Sequence, residues 1–309
     1  MAMTDDEAAG YDEFGMLRTY ADYEGIPWKG RPDVSRRFYE VGPNQRVSAL
    51  VWGTEEPELV FLHGGGQNAH TWDSVAMALD RPLIAVDLPG HGHSDWREDG
   101  DYSPQANARA VAQVVAEAAP RAEVVVGMSL GGLTGIHLGA KWPSLVRRAV
   151  IVDVLPATGT RAAVMTKEQR GATSLVSGPA TYDSFDEMMQ ATAAAVSGRD
   201  IESLRPGVLH NARRLEDGRW AWRYDRLRRE TNAPVDFASL WDDLAELKAP
   251  VMLVRGGRSL FVHDDDQKKM EELQPAARIE RVDEAGHSVQ SDRPVILAGL
   301  IAAFVASTP

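Results

Sequence analysis

Cysteine is absent from this sequence of 309 residues, and its absence removes several kinds of chemistry. The chain cannot build a disulfide framework, a cysteine nucleophile or a metal site made of thiolates. A chain without thiols fits a reducing compartment, so we expect a cytoplasmic protein.

Long apolar runs and excess basic charge are also missing. No apolar run reaches the roughly 18 residues that a membrane-spanning helix needs, and the first fifteen residues are acidic without an apolar centre, so we expect no secretory signal there. The chain has 45 acidic and 33 basic residues, a formal net charge of −12. This charge argues against binding to nucleic acid or to an anionic membrane, both of which need a basic surface. The expected partner is a small-molecule substrate, and a homodimer stays open.

Short apolar runs alternate with helical patterns along most of the chain. Residues 36–41 and 46–53 flank Gly42-Pro43-Asn44 and are predicted to form an antiparallel pair. Further strands, apolar as expected for a buried sheet, are predicted at residues 58–64, 81–90, 122–129, 147–154, 249–257 and, with an exit loop, 277–287. Helical patterns fall at residues 71–80, 104–118, 130–141, 264–273 and 292–306. The alternation predicts an α/β fold, a mostly parallel twisted sheet with helices on both faces.

The predicted domain organisation is a core with one insertion. Residues 1–35 form an acidic N-terminal extension with one short helix near 20–24, and residues 36–154 together with 248–309 form the core. Residues 155–247 interrupt the alternation and are predicted to be a mainly helical lid. Within the lid, Asp217-Gly218 between two strand-like runs indicates a hairpin.

The most informative motif is Gly127-Met128-Ser129-Leu130-Gly131, which matches G-x-S-x-G between a predicted strand and a predicted helix. A sharp turn from strand to helix forces strained dihedrals on the serine, and small neighbours relieve the crowding. The start of the helix then directs free N–H groups towards developing negative charge. This context favours Ser129 as a nucleophile over a chance match.

A glycine-rich loop, His63 to Gly66, follows an earlier strand. It has the form of an oxyanion-hole loop, in which Gly65 N–H would act together with Leu130 N–H. It lacks the Lys-Ser/Thr ending of a phosphate-binding P-loop and the spacing of a dinucleotide site, whereas a plain glycine-rich turn stays an alternative.

His287 is the candidate base, because it alone among the eight histidines lies in a loop after the last strand and before the final helix. Its neutral imidazole is a natural proton acceptor for a serine hydroxyl.

Together, residues 61–66 (FLHGGG), 87–95 (DLPGHGHSD), 127–132 (GMSLGG) and 283–287 (DEAGH) resemble the α/β-hydrolase family, over about residues 36–306. Members usually carry the third triad residue, an Asp, in a turn after the strand that here ends at Gly256-Gly257. The corresponding residue of this chain is Ser259, which cannot hold a negative charge. A minority of the family, including haloalkane dehalogenases and some lactone and amide hydrolases, has the acid one strand earlier, where this chain has Asp153.

We therefore expect Asp153 to be the triad acid, since the carboxyl ends of parallel strands meet at one edge of a sheet. Asp153 could instead only cap the entrance to the lid, and Asp264, Asp265 and Asp266 are a rival source of the acid, although three acids that open a helix also suit the helix dipole.

The resemblance implies a serine hydrolase that cleaves a carboxylic ester or lactone through an acyl-enzyme, without cofactor or metal. Amide or C–C bond hydrolysis is an alternative on the same triad, and a non-catalytic ligand-binding protein, suggested by the missing Asp at position 259, is an alternative of another class. The lid is rich in methionine and aromatic residues, which suits a partly apolar substrate of small to medium size. Candidate substrate contacts are Gln67, Trp72, Trp220 and Trp222, each of which can equally serve packing.

Overall fold

The computed structural model describes residues 10–162, 164–166, 178–196, 200–226 and 235–307. Its main sheet has eight strands among these residues. They are β1 (Val34–Gly42), β2 (Gln45–Trp52), β3 (Leu59–Leu62), β4 (Leu83–Val86), β5 (Val124–Met128), β6 (Ala149–Val152), β10 (Val251–Gly256) and β11 (Arg278–Val282). The segment predicted as a lid, residues 155–247, is called the lid segment or lid below and holds three further strands, β7 (Thr181–Tyr182), β8 (Ala212–Arg214) and β9 (Trp220–Trp222).

The strand order in the main sheet is β1-β2-β4-β3-β5-β6-β10-β11. β2 pairs antiparallel with β1 and with β4, and all other neighbours are parallel. Every residue of the central strands β3, β4, β5 and β6 is buried, as a sheet covered on both faces requires. The predicted fold class and the antiparallel pair β1–β2 are confirmed.

The helices either cover the two faces of this sheet or belong to the segment predicted as a lid. They are α1 (Leu17–Glu24), α2 (Asp73–Leu79), α3 (Pro104–Ala118), α4 (Leu130–Lys141), α5 (Pro156–Ala162), α6 (Phe185–Ala195), α7 (Ile201–Asn211), α8 (Leu240–Glu246), α9 (Asp264–Leu273), α10 (Val289–Asp292) and α11 (Pro294–Ser307), with 3₁₀ turns at Ala69–Trp72 and Pro143–Leu145. Alternate residues of each strand point to opposite faces of the sheet and pack in two separate apolar cores. Val60 and Leu62 pack against α3, α4 and α8 on one face. Leu59 and Phe61 pack against α2 and α11 on the other.

The segment predicted as a lid contains a small apolar core of its own. The strands β7, β9 and β8 form an antiparallel sheet, and β8 and β9 are joined through the predicted Asp217-Gly218 turn. Phe185, Met188 and Trp220 are buried between this sheet and the lid helices. Helix α8 also falls within residues 155–247, yet its Leu240 and Leu244 lie in the core of the main sheet.

The N-terminal extension is folded onto the rest of the chain from residue 10. Leu17 of α1 is buried against the main sheet, while Tyr11 and Met16 pack on the apolar core of the lid. The extension thus contacts both the main sheet and the lid. Among the described residues, no helix combines the length and the apolar character that crossing a membrane requires.

Candidate active site

Ser129 lies in the turn from β5 to α4, at the carboxyl end of the sheet. Its backbone has φ 51° and ψ −117°, a conformation that residues other than glycine rarely adopt. The turn is tight, because a Cβ on Gly127 would lie 2.3 Å from the carbonyl oxygen of Gly131. A Cβ on Gly131 would lie 2.2 Å from the carbonyl oxygen of Leu62. Glycine at these two positions therefore lets the serine stand at the tip of the strand, where it is partly exposed.

The glycine loop lies against this turn. A Cβ on Gly64 would lie 3.2 Å from Cβ of Ser129, so the loop and the serine are in direct contact. Leu130 is the first residue of α4, and its N–H therefore has no partner within the helix. Gly65 N–H likewise makes no hydrogen bond within the described ranges, and both residues are partly exposed. Two free N–H donors thus lie on the two segments that meet at Ser129.

His63 holds the start of this loop from inside the protein. Its ring is fully buried; Nε2 accepts a hydrogen bond from Leu88 N–H at 2.9 Å, and Nδ1 lies 2.7 Å from the carbonyl oxygen of Gly64. Burial lowers the pKa of His63, which keeps the ring neutral. A neutral ring that accepts at Nε2 donates at Nδ1, so both bonds are satisfied at once.

His287 follows β11 in a loop that packs closely on the end of β10. A Cβ on Gly256 would lie 2.0 Å from the carbonyl oxygen of Gly286, so this approach needs glycine. His287 Nδ1 lies 2.8 Å from Oδ2 of Asp153. The imidazole stacks on Phe261, with ring centroids 3.6 Å apart and an interplanar angle of 11°. Its Nε2 is buried and has no hydrogen-bond partner in the described part of the chain, which leaves this nitrogen available for a substrate or a nucleophile.

Asp153 comes directly after β6 and is fully buried. Like Ser129 it has a positive φ, 50°. Besides His287, its carboxylate accepts a hydrogen bond from Gly256 N–H at 2.9 Å and one from the hydroxyl of Ser259. The buried carboxylate therefore has three donors, one of which is the imidazole.

The rival acids are held by other groups. Asp264 bonds Arg255 at 2.8 Å and its side chain is 93% exposed. Asp266 accepts from His263 N–H at the start of α9 and forms an ion pair with Arg161 at 2.7 Å. Neither they nor Asp265 bond His287 among the described contacts, so Asp153 is the carboxylate that this geometry brings to the imidazole.

Three of the four predicted substrate contacts are buried in apolar cores, and the fourth, Gln67, is partly exposed. Trp72 is fully buried and packs on Phe61 at 5.0 Å between ring centroids, because its 3₁₀ turn directs it into the core beneath the sheet. Trp220 and Trp222 are 3% and 4% exposed and belong to the core of the lid. Gln67 is partly exposed, but its Oε1 accepts a hydrogen bond from Gly64 N–H at 3.0 Å, so it supports the glycine loop. Aromatic composition indicated a pocket, whereas these side chains stabilise the fold.

A buried polar cluster next to the glycine loop was not predictable from the sequence. The rings of His70 and His210 are stacked, with centroids 3.7 Å apart and planes at 10°. His70 lies between Asp73 at 2.8 Å and Glu13 at 3.0 Å. Glu13 also pairs with Arg36. The cluster thus joins the N-terminal extension, the sheet, the loop after β3 and the lid helix α7.

The same cluster has the spacing of a metal site. Ligand atoms of His70, Asp73 and His210 lie within 4.8 Å of one another. Both nitrogens of His210 already bond hydroxyls, Nδ1 that of Tyr11 and Nε2 that of Tyr20 at 2.9 Å. His70 likewise uses both nitrogens, Nδ1 towards Asp73 and Nε2 towards Glu13. We therefore assign the cluster to hydrogen bonding.

Several known proteins resemble this chain in sequence and in fold. A sequence model described as the alpha/beta hydrolase family matches residues 59–300. The esterase Rv0045c of Mycobacterium tuberculosis is 50% identical over 300 residues, which cover 97% of this chain and 97% of the relative. A solved structure of that esterase has a TM-score of 0.85, is 48% identical and covers 96% of this chain and 100% of its own. The sn-1-specific diacylglycerol lipase ABHD11 of Mus musculus is 27% identical over 266 residues, 81% of each chain.

Proposed function

We propose, from the premise that this chain belongs to the alpha/beta hydrolase family, that it hydrolyses carboxylic esters through an acyl-enzyme formed on Ser129. The relatives described above are named an esterase and a diacylglycerol lipase, and both names refer to cleavage of carboxylic esters. The observation that carries the residue assignment is the contact of His287 Nδ1 with Asp153, together with a buried Nε2 that has no hydrogen-bond partner among the described residues.

The proposed reaction begins with attack of Ser129 Oγ on the ester carbonyl. His287 Nε2 accepts the hydroxyl proton and returns it to the oxygen of the departing alcohol. Asp153 keeps the proton of the neutral ring on Nδ1 and stabilises the imidazolium that forms. In the second step His287 Nε2 accepts a proton from a water molecule that attacks the acyl-enzyme, and returns it to Ser129 Oγ as the carboxylic acid leaves.

Negative charge develops on the carbonyl oxygen during both steps. The N–H groups of Gly65 and Leu130 are the proposed donors to it, since each is free and lies on a segment that contacts Ser129. No cofactor takes part in this scheme.

The substrate class that we propose is an ester or lactone of small to medium size with an apolar part. Support comes from Leu260, which is 53% exposed beside Phe261, the residue that stacks on His287.

From the composition we also propose a cytoplasmic location and an acidic surface that does not bind nucleic acid. A homodimer remains a hypothesis that sedimentation equilibrium can test.

The test is the pre-steady-state hydrolysis of p-nitrophenyl butyrate by the wild type and two variants. We expect a burst of p-nitrophenol from the wild type, a loss of kcat greater than about 10³-fold in Ser129→Ala, and a loss of about 10³–10⁴-fold in Asp153→Asn. Ser291→Ala is the matched control, because Ser291 is exposed and its hydroxyl makes no hydrogen bond within the described residues. A wild type that neither turns over nor is labelled by a fluorophosphonate would contradict the proposal. The corresponding p-nitroanilide separates ester from amide specificity.

A further inference from the structure

The loop after β10 offers a group that acts on the acid of the proposed triad. Ser259 lies three residues beyond Gly256 and its hydroxyl donates a hydrogen bond to Oδ2 of Asp153. The same hydroxyl oxygen accepts Phe261 N–H at 3.2 Å. The serine hydroxyl is therefore oriented by its own loop, with its proton directed at the carboxylate.

Ser259 donates its hydrogen bond to the same carboxylate oxygen of Asp153 that bonds His287. Oδ2 of Asp153 receives both the Ser259 hydroxyl and His287 Nδ1, the latter at 2.8 Å, whereas Oδ1 receives Gly256 N–H at 2.9 Å. Donors on both oxygens fix the rotation of the carboxylate about its last torsion. Without the hydroxyl, one of the lone pairs of a fully buried anion would lose its partner.

The loop also holds the other end of the pair. Phe261, whose N–H orients Ser259, stacks on the His287 ring at 3.6 Å between centroids. Two residues of one loop thus constrain the pair: Phe261 contacts the face of the imidazole, and Ser259 bonds Oδ2 of the carboxylate. The position that resembles the usual site of the acid still lies within hydrogen-bond distance of the acid that this chain uses.

We propose that Ser259 is a positioning residue for Asp153, and that position 259 is close enough to supply a carboxylate to the same histidine when Asp153 is neutralised. This inference rests on the proposed function. It adds to that function a second position, 259, from which a carboxylate can serve His287. In this chain that position holds a neutral serine hydroxyl, which bonds Asp153 instead.

The first test removes and then restores the hydroxyl. We expect Ser259→Ala to lower kcat for p-nitrophenyl butyrate about tenfold with little change in KM, because Asp153 then loses one of the contacts that hold it in position against His287. Ser259→Thr keeps the hydroxyl and should recover most of kcat. The acid limb of the pH profile of kcat/KM should move to higher pH in Ser259→Ala, because a carboxylate with one donor fewer interacts more strongly with the imidazolium. Ser291→Ala should leave both quantities unchanged.

The second test moves the acid. Asp153→Asn combined with Ser259→Asp should have a kcat at least tenfold above that of Asp153→Asn alone. Equal activity of these two variants, or a Ser259→Ala enzyme with the kcat and pH profile of the wild type, overturns the inference. The proposed function fails separately, if Ser129→Ala retains its burst. Thermal melts show whether each variant is folded. If Ser259→Ala does not fold, the comparison of Ser259→Thr with the wild type still tests the inference.

Discussion

The side-chain amide of Asn211, the last residue of lid helix α7, donates a hydrogen bond of 3.2 Å to the carbonyl oxygen of Gly66 in the glycine loop. Its side-chain oxygen accepts a second bond, of 2.8 Å, from Asn68 Nδ2. Asn68 in turn caps the 3₁₀ turn at Ala69–Trp72 by accepting His70 N–H at 2.9 Å. The position of the proposed oxyanion donor Gly65 therefore depends on the lid as well as on the sheet.

Replacement of Asn211 should affect catalysis more than folding. We expect Asn211→Ala to lower kcat/KM for p-nitrophenyl butyrate by about 5–20-fold, because a misplaced oxyanion donor loses part of its effect. Asn211→Asp is the comparison, since it keeps the acceptor for Asn68 and loses the donor to Gly66. If Asn211→Asp retains full activity, the bond to Gly66 does not position the loop.

Two glycines of helix α4 should respond in opposite directions to alanine. In Gly131→Ala the new Cβ would lie 2.2 Å from the carbonyl oxygen of Leu62 and 2.7 Å from that of His63, and backbone atoms cannot easily yield. We expect the free energy of unfolding to fall by about 3 kcal/mol and activity to be lost. At Gly135 the nearest atom is Val125 Cγ1 at 3.8 Å, an ordinary contact. Gly135→Ala should raise the free energy of unfolding by about 0.5–1 kcal/mol. Urea unfolding followed by circular dichroism measures both, and a stable, active Gly131→Ala would contradict the packing argument.

The parts of the fold set by local pattern were predictable. The predicted helices at 104–118, 130–141 and 264–273 match α3, α4 and α9 at both ends, because each begins directly after a turn or loop that the sequence marks. The predicted strands 58–64, 122–129, 147–154 and 249–257 extend one or two residues beyond each end of β3, β5, β6 and β10, and the strand predicted at 81–90 extends four residues beyond the end of β4. The last ladder bond depends on the length of the neighbouring strand, which local sequence does not show.

What depends on distant partners was not predictable. The motifs indicated Ser129, His287 and Asp153, and the structure brings His287 and Asp153 into contact, while the catalytic roles remain predictions. The contact from Ser259 to Asp153 depends on the conformation of a loop that has no periodicity to read. Trp72 shows the same limit, since composition does not reveal which way a side chain faces.

The cluster around His70 gathers charges from four segments into the interior. Burial alone would lower the pKa of His70, but Asp73 and Glu13 raise it to about 9. For Glu13 burial acts in the opposite direction from its hydrogen bonds to His70 and Arg36, which lower its pKa to about 2. His210 has a pKa well below the ordinary value, because it is buried and faces the cations His70, Arg36 and Arg223. A protonated His70 therefore stacks on a neutral His210.

These directions set the pH dependence of stability. The folded chain holds the His70 proton up to a pH of about 9, whereas the unfolded chain releases it near its ordinary value of 6.5. The contribution of His70 to stability is therefore complete below about pH 6.5 and is lost as the pH rises through about 9. Glu13 contributes in the opposite sense, since its stabilising effect is present above its ordinary value of 4.5 and is lost as the pH falls towards about 2.

Unfolding by urea at several pH values tests this assignment. Between about pH 6.5 and 9 the free energy of unfolding of the wild type should fall more steeply than that of His70→Gln, by an amount on the order of 3 kcal/mol over the interval. Glu13→Gln keeps the size of the side chain and an acceptor oxygen but removes one of the two negative charges that hold the proton, so its slope should lie between the two. Parallel curves for the wild type and His70→Gln would mean that His70 is neutral in the folded protein. In that case the acids Glu13 and Asp73 would be balanced by Arg36 and Arg223 alone, and the stacked histidines would join the lid to the glycine loop without charge.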